Sequence, residues 1–267
     1  MFLCAKATCL LMLVSTCISS QRLGAYRSLQ SFLDSCPQND RNNSVIRRDF
    51  QILRDGMPVG DVACREPYTK LPMAQVTDEL TITQALRFAY YMDLGRSEYL
   101  PWTPLRVYDW FKSRLAGFNI DTSLKNGVAA SCCVTINGRR YISEATIPDD
   151  LNRRYRQTLE GLAAQVALIA HETRHTDGYR HVGCCGTQGA CDQSYDEKNL
   201  SPFGIQYYLA KQWLTGGINL GYSCGPKMRA KLGNAFLQLV NAFQSSFCDT
   251  KPPVLSIPPA PGGACMK

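Results

Sequence analysis

The sequence predicts a mainly helical α+β fold that carries a small β-sheet or hairpin and is stapled by disulfides. Three observations predict it: helical periodicity recurs between residues 81 and 247, one short segment has hairpin-turn chemistry, and the chain contains 13 cysteines. With 267 residues, 45% of them hydrophobic, the chain can bury a substantial core, which excludes a largely disordered protein. The cysteine content also argues against a cytosolic enzyme.

The segment 1–20 has the composition of a secretory signal peptide. Lys6 precedes an uncharged stretch over residues 7–18, and the small residues Ser19 and Ser20 follow. We therefore expect a secreted protein whose mature chain begins near Gln21, with an uncleaved membrane anchor as the alternative. The apolar stretch is short for a membrane span, and no later stretch approaches the length that one needs.

Removal of the signal peptide would take away three cysteines and leave ten, an even number that favours five disulfides. The ten are Cys36, Cys64, Cys132, Cys133, Cys184, Cys185, Cys191, Cys224, Cys248 and Cys265. Three of them crowd residues 184–191, so we expect that loop to be tied to several distant segments. A four-cysteine zinc site is disfavoured because adjacent cysteines lack the C-x-x-C spacing of such sites.

The formal net charge of +7 comes from scattered basic residues rather than from one long run. Mild basicity of this kind suits acidic partners or cell-wall polymers and does not indicate a nucleic-acid partner. Residues 21–71 are polar and predict an extended or partly helical N-terminal segment held by Cys36 and Cys64. Arg47 and Arg48 could mark a propeptide processing site, but simple loss of that segment would leave an odd number of cysteines.

The predicted catalytic domain covers residues 72–250, and a proline-rich tail over residues 251–267 is expected to be extended and pinned by Cys265. Apolar periodicity predicts helices over residues 81–93, with Thr81 or Thr83 as cap, and over residues 105–115, ended by Gly117. Asn137 and Gly138 between β-branched residues predict a type I′ hairpin over residues 134–142. One long helix is predicted to begin at residues 148–150 and to be buried on all sides towards residue 170. Two further helices are predicted over residues 203–214 and 227–247.

All three histidines of the chain fall within the eleven residues 171–181, which read HETRHTDGYRH. On a helix His171 and His175 lie one turn apart on the same face, so that both imidazoles can bind one ion. Glu172 projects close by, where it can take a proton from a water on that ion. We therefore predict two histidine ligands and a glutamate base at the end of the long helix.

Gly178 explains how the third histidine can reach the same ion. In a continuous helix His181 would lie about 15 Å along the axis from His171. A glycine can adopt the left-handed conformation that ends a helix, so the chain can reverse and bring His181 back. Three imidazoles leave one open position on a tetrahedral zinc ion, which predicts one catalytic zinc (Zn²⁺).

The spacing H-E-x-x-H-x-x-G-x-x-H resembles the long zinc-binding signature of the metzincin metalloproteases, over these eleven residues and the helix before them. The resemblance implies a zincin-like domain with His171, His175 and His181 as zinc ligands and Glu172 as general base. Metzincins also place a methionine-containing turn beneath the metal, for which Met228 is the candidate here, with ordinary helix packing as the other interpretation.

Three carboxylates compete with His181 as the third ligand: Asp177, Asp192 and Asp196. For Asp177 an ordinary turn residue before Gly178 is the other interpretation. The predicted function is a secreted zinc metalloendopeptidase that acts on peptide or protein substrates, without stable membrane insertion. The alternatives are a secreted disulfide-stabilised binding protein with a structural metal site, and a zinc amidase that acts on cell-wall peptides.

Overall fold

The computed structural model describes residues 26, 28–94, 99–124, 130–147, 150–183, 191–215, 218–219 and 226–253. The predicted signal peptide and most of the predicted tail lie outside these residues, as do residues 148 and 149 at the predicted start of the long helix. So do four of the ten cysteines of the predicted mature chain, namely Cys184, Cys185, Cys224 and Cys265.

The described residues form helices around one small sheet, so the predicted α+β class is confirmed. The helices are α1 (Leu29–Asp34), α2 (Asn43–Asp49), α3 (Asp78–Tyr91), α4 (Val107–Arg114), α5 (Asp150–Arg156), α6 (Leu159–His175), α7 (Pro202–Thr215) and α8 (Pro226–Gln244). The strands are β1 (Gln51–Arg54), β2 (Met57–Pro58), β3 (Asp93–Leu94), β4 (Gly117–Asp121), β5 (Ala130–Ile136), β6 (Arg139–Ala145) and β7 (Ile218–Asn219). None of the described helices is long and apolar enough to cross a membrane.

Five strands form the main sheet in the order β2-β1-β4-β6-β5, and β3 pairs with β7 apart from it. β1, β4 and β6 run parallel, whereas β5 lies antiparallel to β6 at one edge. Gly117 was predicted to end a helix but instead begins β4. It has φ +154°, and a Cβ there would lie 1.7 Å from the carbonyl oxygen of Gln51 on the neighbouring strand. Only glycine permits this close approach.

The predicted hairpin is confirmed as the pair β5–β6. Asn137 and Gly138 both have positive φ, 51° and 74°, as a type I′ turn requires at its two central residues. The pairing is regular from the turn to Val134, which faces Tyr141, and is then interrupted before Ser131, which faces Ser143. The interruption therefore lies within the edge strand of the sheet.

The prediction of one long helix from residue 150 onward is wrong, because the chain divides it into α5 and α6 at residues 157–158. Thr158 begins the second helix, and its hydroxyl accepts a hydrogen bond from the N–H of Gly161. The turn is so tight that a Cβ on Gly161 would lie 1.9 Å from the carbonyl oxygen of Tyr155. Leu151 in α5 is 78% exposed, whereas the apolar residues of α6 are buried.

The first predicted helix is also shifted towards the N-terminus. Thr77 caps α3 by accepting a hydrogen bond from the N–H of Leu80. The hydroxyls of Thr81 and Thr83 instead bond backbone carbonyls of the preceding turn. The other predicted helices agree with α4, α7 and α8 to within three residues at each end.

Helix α6 lies at the centre of the molecule, where it packs on α3, α7 and β5. The N-terminal segment belongs to the same structure: Phe32 and Phe50 are buried in the main core, and β1 lies inside the sheet between β2 and β4. Cys36 and Cys64, the two cysteines expected to hold this segment, are bonded to each other. The candidate site residues therefore sit at the end of a helix that is fixed on three sides.

Candidate metal centre

The C-terminal turn of α6 presents the first two histidines and the glutamate of the predicted motif. His171 and Glu172 are buried, and His175 is half-buried at the end of the helix. A turn over residues 176–178 follows, and Gly178 has φ +93° in the left-handed region. The predicted reversal at Gly178 is thus confirmed, and it directs the chain back towards the helix.

The reversal brings His181 against the other two histidines. Nε2 of His181 lies 3.0 Å from Nε2 of His171. One ligand atom from each of His171, His175 and His181 can be chosen so that all three lie within 4.8 Å of one another. No other group of three or more His, Cys, Asp or Glu side chains with this geometry occurs among the described residues.

The Nδ1 atom of each of the three imidazoles lies within hydrogen-bond distance of a different oxygen atom. Nδ1 of His171 lies 3.1 Å from Oε1 of Gln206 on α7. Nδ1 of His175 lies 2.7 Å from the carbonyl oxygen of Tyr179, and Nδ1 of His181 lies 3.0 Å from Oδ1 of Asp192. All three partners are acceptors, so each Nδ1 carries its proton and each Nε2 presents a lone pair.

This donor set fits a zinc ion. Two Nε2 lone pairs that face each other at 3.0 Å repel unless a cation or a proton lies between them. Imidazole nitrogens bound to one tetrahedral zinc at about 2.0–2.1 Å are about 3.3 Å apart, close to this separation. Burial, reinforced by repulsion from the other two histidines, lowers the pKa of His171 to about 3, and burial also lowers the pKa of His175. Both rings are therefore neutral at physiological pH, as metal ligands must be.

Asp192, one of the candidate third ligands, supports His181 instead. Its Oδ1 binds Nδ1 of His181, while Oδ2 accepts the N–H groups of Phe203 and Gly204 at the start of α7. Burial alone would raise the pKa of Asp192, but these hydrogen bonds keep it below its ordinary value. The backbone of Asp192 is itself bonded to the segment after α8, through the carbonyl oxygen of Ser246 and the N–H of Cys248.

The other two candidate carboxylates have different partners. Asp177 forms ion pairs with Arg174, at 2.6 Å, and with Arg114, at 2.8 Å. Asp196 is exposed and accepts the N–H of Lys198. Neither belongs to the histidine cluster, because both carboxylates are engaged in the loops around it.

Arg174 occupies an unspecified position of the motif, between Glu172 and His175. It stabilises the turn that connects the second histidine to the third. It is buried, donates to the carbonyl oxygen of Leu200 and pairs with Asp177. Its guanidinium lies 4.1 Å from the ring centre of Tyr179, whose carbonyl binds His175. The same guanidinium also lies 4.4 Å from the ring centre of Trp102. The arginine thus ties the end of α6 to its surroundings.

Glu172 faces a cavity of about 470 Å³ that it shares with two of the histidines. The lining also includes residues of the edge strand β5, among them Ser131 and Cys132. Burial raises the pKa of Glu172 to about 7, although a backbone hydrogen bond from Cys132 acts in the opposite direction. A carboxyl group that titrates near neutrality beside the histidine cluster is suited to proton transfer.

Several supporting residues were not predicted. Gln206 is a buried polar residue between the apolar Ile205 and the aromatic Tyr207 of α7, and a polar residue at such a position could have been noticed in the sequence. Phe203, whose ring centre lies 4.6 Å from that of His171, gave no such signal. Met228 lies in the first turn of α8, so its backbone is helical and agrees with the helix interpretation rather than with a tight methionine turn.

Comparison of the chain with protein families, with curated proteins and with solved structures found no match. The chemistry of this site is therefore inferred from its own geometry.

Proposed function

We propose that the protein is a zinc-dependent metallopeptidase that hydrolyses peptide bonds. The observation that carries the proposal is the orientation of the three imidazoles of His171, His175 and His181. Each Nδ1 is occupied by an acceptor, and the Nε2 atoms of His171 and His181 face each other at 3.0 Å. A structural zinc site is usually closed by four protein ligands, whereas a catalytic site has three and one open position.

Zinc in such a site supplies Lewis acidity and, at neutral pH, a nucleophile derived from water. Glu172 is the residue of this chain placed to move the proton. It lies on the same helix turn as His171 and opens into the cavity, where its carboxylate can take a proton from the attacking water and deliver it to the leaving amine. Burial of Glu172 favours this exchange because it brings the pKa of the group close to neutrality.

The edge strand supports a peptide as substrate. β5 pairs with β6 on one side and ends the sheet on the other, and Ala130 and Ser131 line the cavity beside Glu172. An extended peptide can add to a free strand edge through backbone hydrogen bonds, which would lay its carbonyl groups along the cavity. The disulfides of the chain support secretion, because such bonds persist in oxidising compartments.

Metal analysis and two substitutions test the proposal together. We expect about one zinc per chain, hydrolysis of a broad peptide library, and loss of both zinc and activity in His175→Ala. Glu172→Gln should lose about 10²–10⁴-fold in kcat while zinc remains bound, since general acid–base catalysis contributes about that much. Glu197→Gln, at an exposed ion pair with Lys211, is the matched control and should retain full activity.

A zinc-loaded protein that hydrolyses no peptide would contradict the proposal and favour a binding protein with a structural metal. Hydrolysis confined to cell-wall peptides would keep the mechanism and favour the amidase. Unchanged activity in Glu172→Gln would exclude the proposed role of that residue.

A further inference from the structure

Arg180 places a cationic side chain at the cavity that contains Glu172. It lines this cavity together with Glu172, His175 and His181, and its side chain is exposed. Within the part of the chain that the structure describes, no carboxylate forms an ion pair with its guanidinium, and the guanidinium donates no hydrogen bond. Arginine has five N–H donors in a planar fork that matches a carboxylate group. The side chain is therefore available to a molecule that enters the cavity.

The backbone on both sides of Arg180 is fixed by buried residues. The ring centre of Tyr179 lies 4.1 Å from the guanidinium of Arg174, and Nδ1 of His181 lies 3.0 Å from Oδ1 of Asp192. Arg174 and Asp192 are both buried. The position from which the Arg180 side chain leaves the backbone is therefore set before a ligand binds, which reduces the ordering that binding has to impose.

The neighbouring carboxylate Asp177 does not neutralise Arg180, because two other arginines share it. One of its oxygens lies 2.6 Å from Arg174 and the other lies 2.8 Å from Arg114. Glu172 is the one carboxylate among the described residues that line the cavity, and it forms no ion pair with Arg180. The positive charge of Arg180 thus remains uncompensated at the cavity, where it attracts groups of the opposite charge.

An extended peptide added to β5 would lie within reach of this charge. The same cavity is lined by Ala130 and Ser131 of β5 and by Arg180. When a peptide adds to a strand edge, its main-chain hydrogen bonds give affinity and its side-chain contacts give specificity. The edge of β5 can bind the backbone of any sequence, whereas a guanidinium selects for a carboxylate.

We propose that Arg180 is a specificity-determining residue that binds a carboxylate of the peptide substrate beside the cleaved bond. This inference rests on the proposed function and names the class of substrate, which is a peptide with an acidic side chain or a chain-terminal carboxylate at this position. Two N–H groups of the guanidinium donate to the two carboxylate oxygens. A glutamine in the same place offers a single neutral acceptor and is bound less well.

Matched peptides test the inference. A peptide that the wild type cleaves is prepared with glutamate and with glutamine at each position around the cleaved bond. At one position we expect kcat/KM to be about 3–10-fold higher for glutamate, as for a bidentate charged contact that water partly reaches. Arg180→Ala should abolish this preference. Arg180→Lys should retain part of it, because lysine keeps the charge but lacks the planar fork.

Peptides with a free and with an amidated carboxyl end distinguish the two sources of the carboxylate. A preference that survives amidation comes from an acidic side chain, and one that amidation removes comes from the end of the peptide. Arg139→Ala is the matched control, because Arg139 is also exposed but does not line the cavity. This control should keep the wild-type preference, and all three variants should keep the zinc content and the unfolding midpoint of the wild type.

Two kinetic results would overturn the inference. One is the same ratio of glutamate to glutamine cleavage in the wild type and in Arg180→Ala. The other is an equal fall of kcat/KM for both peptides in that variant, which would place Arg180 at the reacting carbonyl group and not at a substrate carboxylate.

Binding provides a readout that needs no hydrolysis. The probes for titration calorimetry are an alanine-based peptide that carries one glutamate and its glutamine counterpart. The wild type should bind the glutamate peptide more tightly, and Arg180→Ala should bind the two equally. Equal binding by the wild type would overturn the inference. If the wild type hydrolyses no peptide, the proposed function fails, and the titration still decides whether Arg180 binds a carboxylate.

Discussion

Asp192 connects His181 to the start of α7 through both of its carboxylate oxygens. Oδ1 lies 3.0 Å from Nδ1 of His181, and Oδ2 accepts the N–H of Phe203 over 2.6 Å. The carboxylate is almost completely buried, with 1% of its side chain exposed. A ligand histidine held in this way keeps its tautomer and its ring orientation, and it becomes a more basic metal ligand.

Asp192→Asn should weaken zinc binding about 10–100-fold, the usual effect of removing a group that orients a metal ligand. The amide has only one acceptor oxygen, so it cannot serve both His181 and the N–H groups of α7. Competition with a zinc chelator of known affinity measures the change. Asp196→Asn is the control, because that carboxylate is exposed, and a similar loss there would show that the effect is not specific to the His181 contact.

Gly178→Ala should destabilise the protein by about 1–2 kcal/mol, the cost of a left-handed conformation for an L-residue with a side chain. The position has φ +93° with nothing within 4 Å of the added Cβ, so the cost is one of backbone conformation and not of collision. Zinc affinity should fall as well, because Gly178 directs His181 back to the helix. Chemical denaturation measures the first effect and chelator competition the second.

Gly183→Ala is the control for this substitution. Gly183 also has open space around an added Cβ, but its φ does not lie in the left-handed region. We expect no loss of stability there, and equal losses at the two glycines would contradict the backbone explanation.

Thr158→Ala should cost about 1 kcal/mol, because it removes the side chain that caps α6. The hydroxyl of Thr158 accepts the N–H of Gly161 over 3.1 Å, and the alanine variant leaves that donor without its cap. Thr158→Ser preserves the hydroxyl and should remain within a few tenths of a kcal/mol of the wild type. Denaturant unfolding of the three proteins at constant zinc decides the matter, and equal midpoints would refute the capping role.

Removal of metal should lower the unfolding temperature. A ligand that binds only the folded chain at a free concentration of 100 times its Kd stabilises that state by about 2.7 kcal/mol. Thermal unfolding with and without a chelator measures this contribution, and added zinc should restore it. His175→Ala should respond much less to the chelator, and a full response in that variant would place the metal elsewhere.

The features that could be predicted from sequence are those encoded by local chemistry. Asn137 and Gly138 specify their own turn, and Gly178 specifies the reversal, because positive φ is a property of single residues. The alignment of His171 with His175 follows from the helical period alone. These local rules were sufficient to predict that the three histidines lie together.

The features that could not be predicted depend on contacts between distant segments. β1 has four residues, and its parallel pairing of Gln51 with Gly117 joins positions that no local pattern relates. The partners of His171 and His181 come from α7 and from the segment at residue 192 for the same reason. The division between α5 and α6 is a different case, since Thr158 as cap with Glu160 in the first turn is a helix-start signal that the apolar periodicity concealed.

The support for the third histidine extends to a stretch of chain that contributes no side chain to the site. Asp192 donates its N–H to the carbonyl oxygen of Ser246 and accepts the N–H of Cys248. An exopeptidase that trimmed the protein from its carboxyl end past Ser246 would leave every residue around the metal covalently intact. It would nevertheless release the strand-like pairing that fixes Asp192, so we expect limited proteolysis at this end to weaken the proposed metal site from a distance.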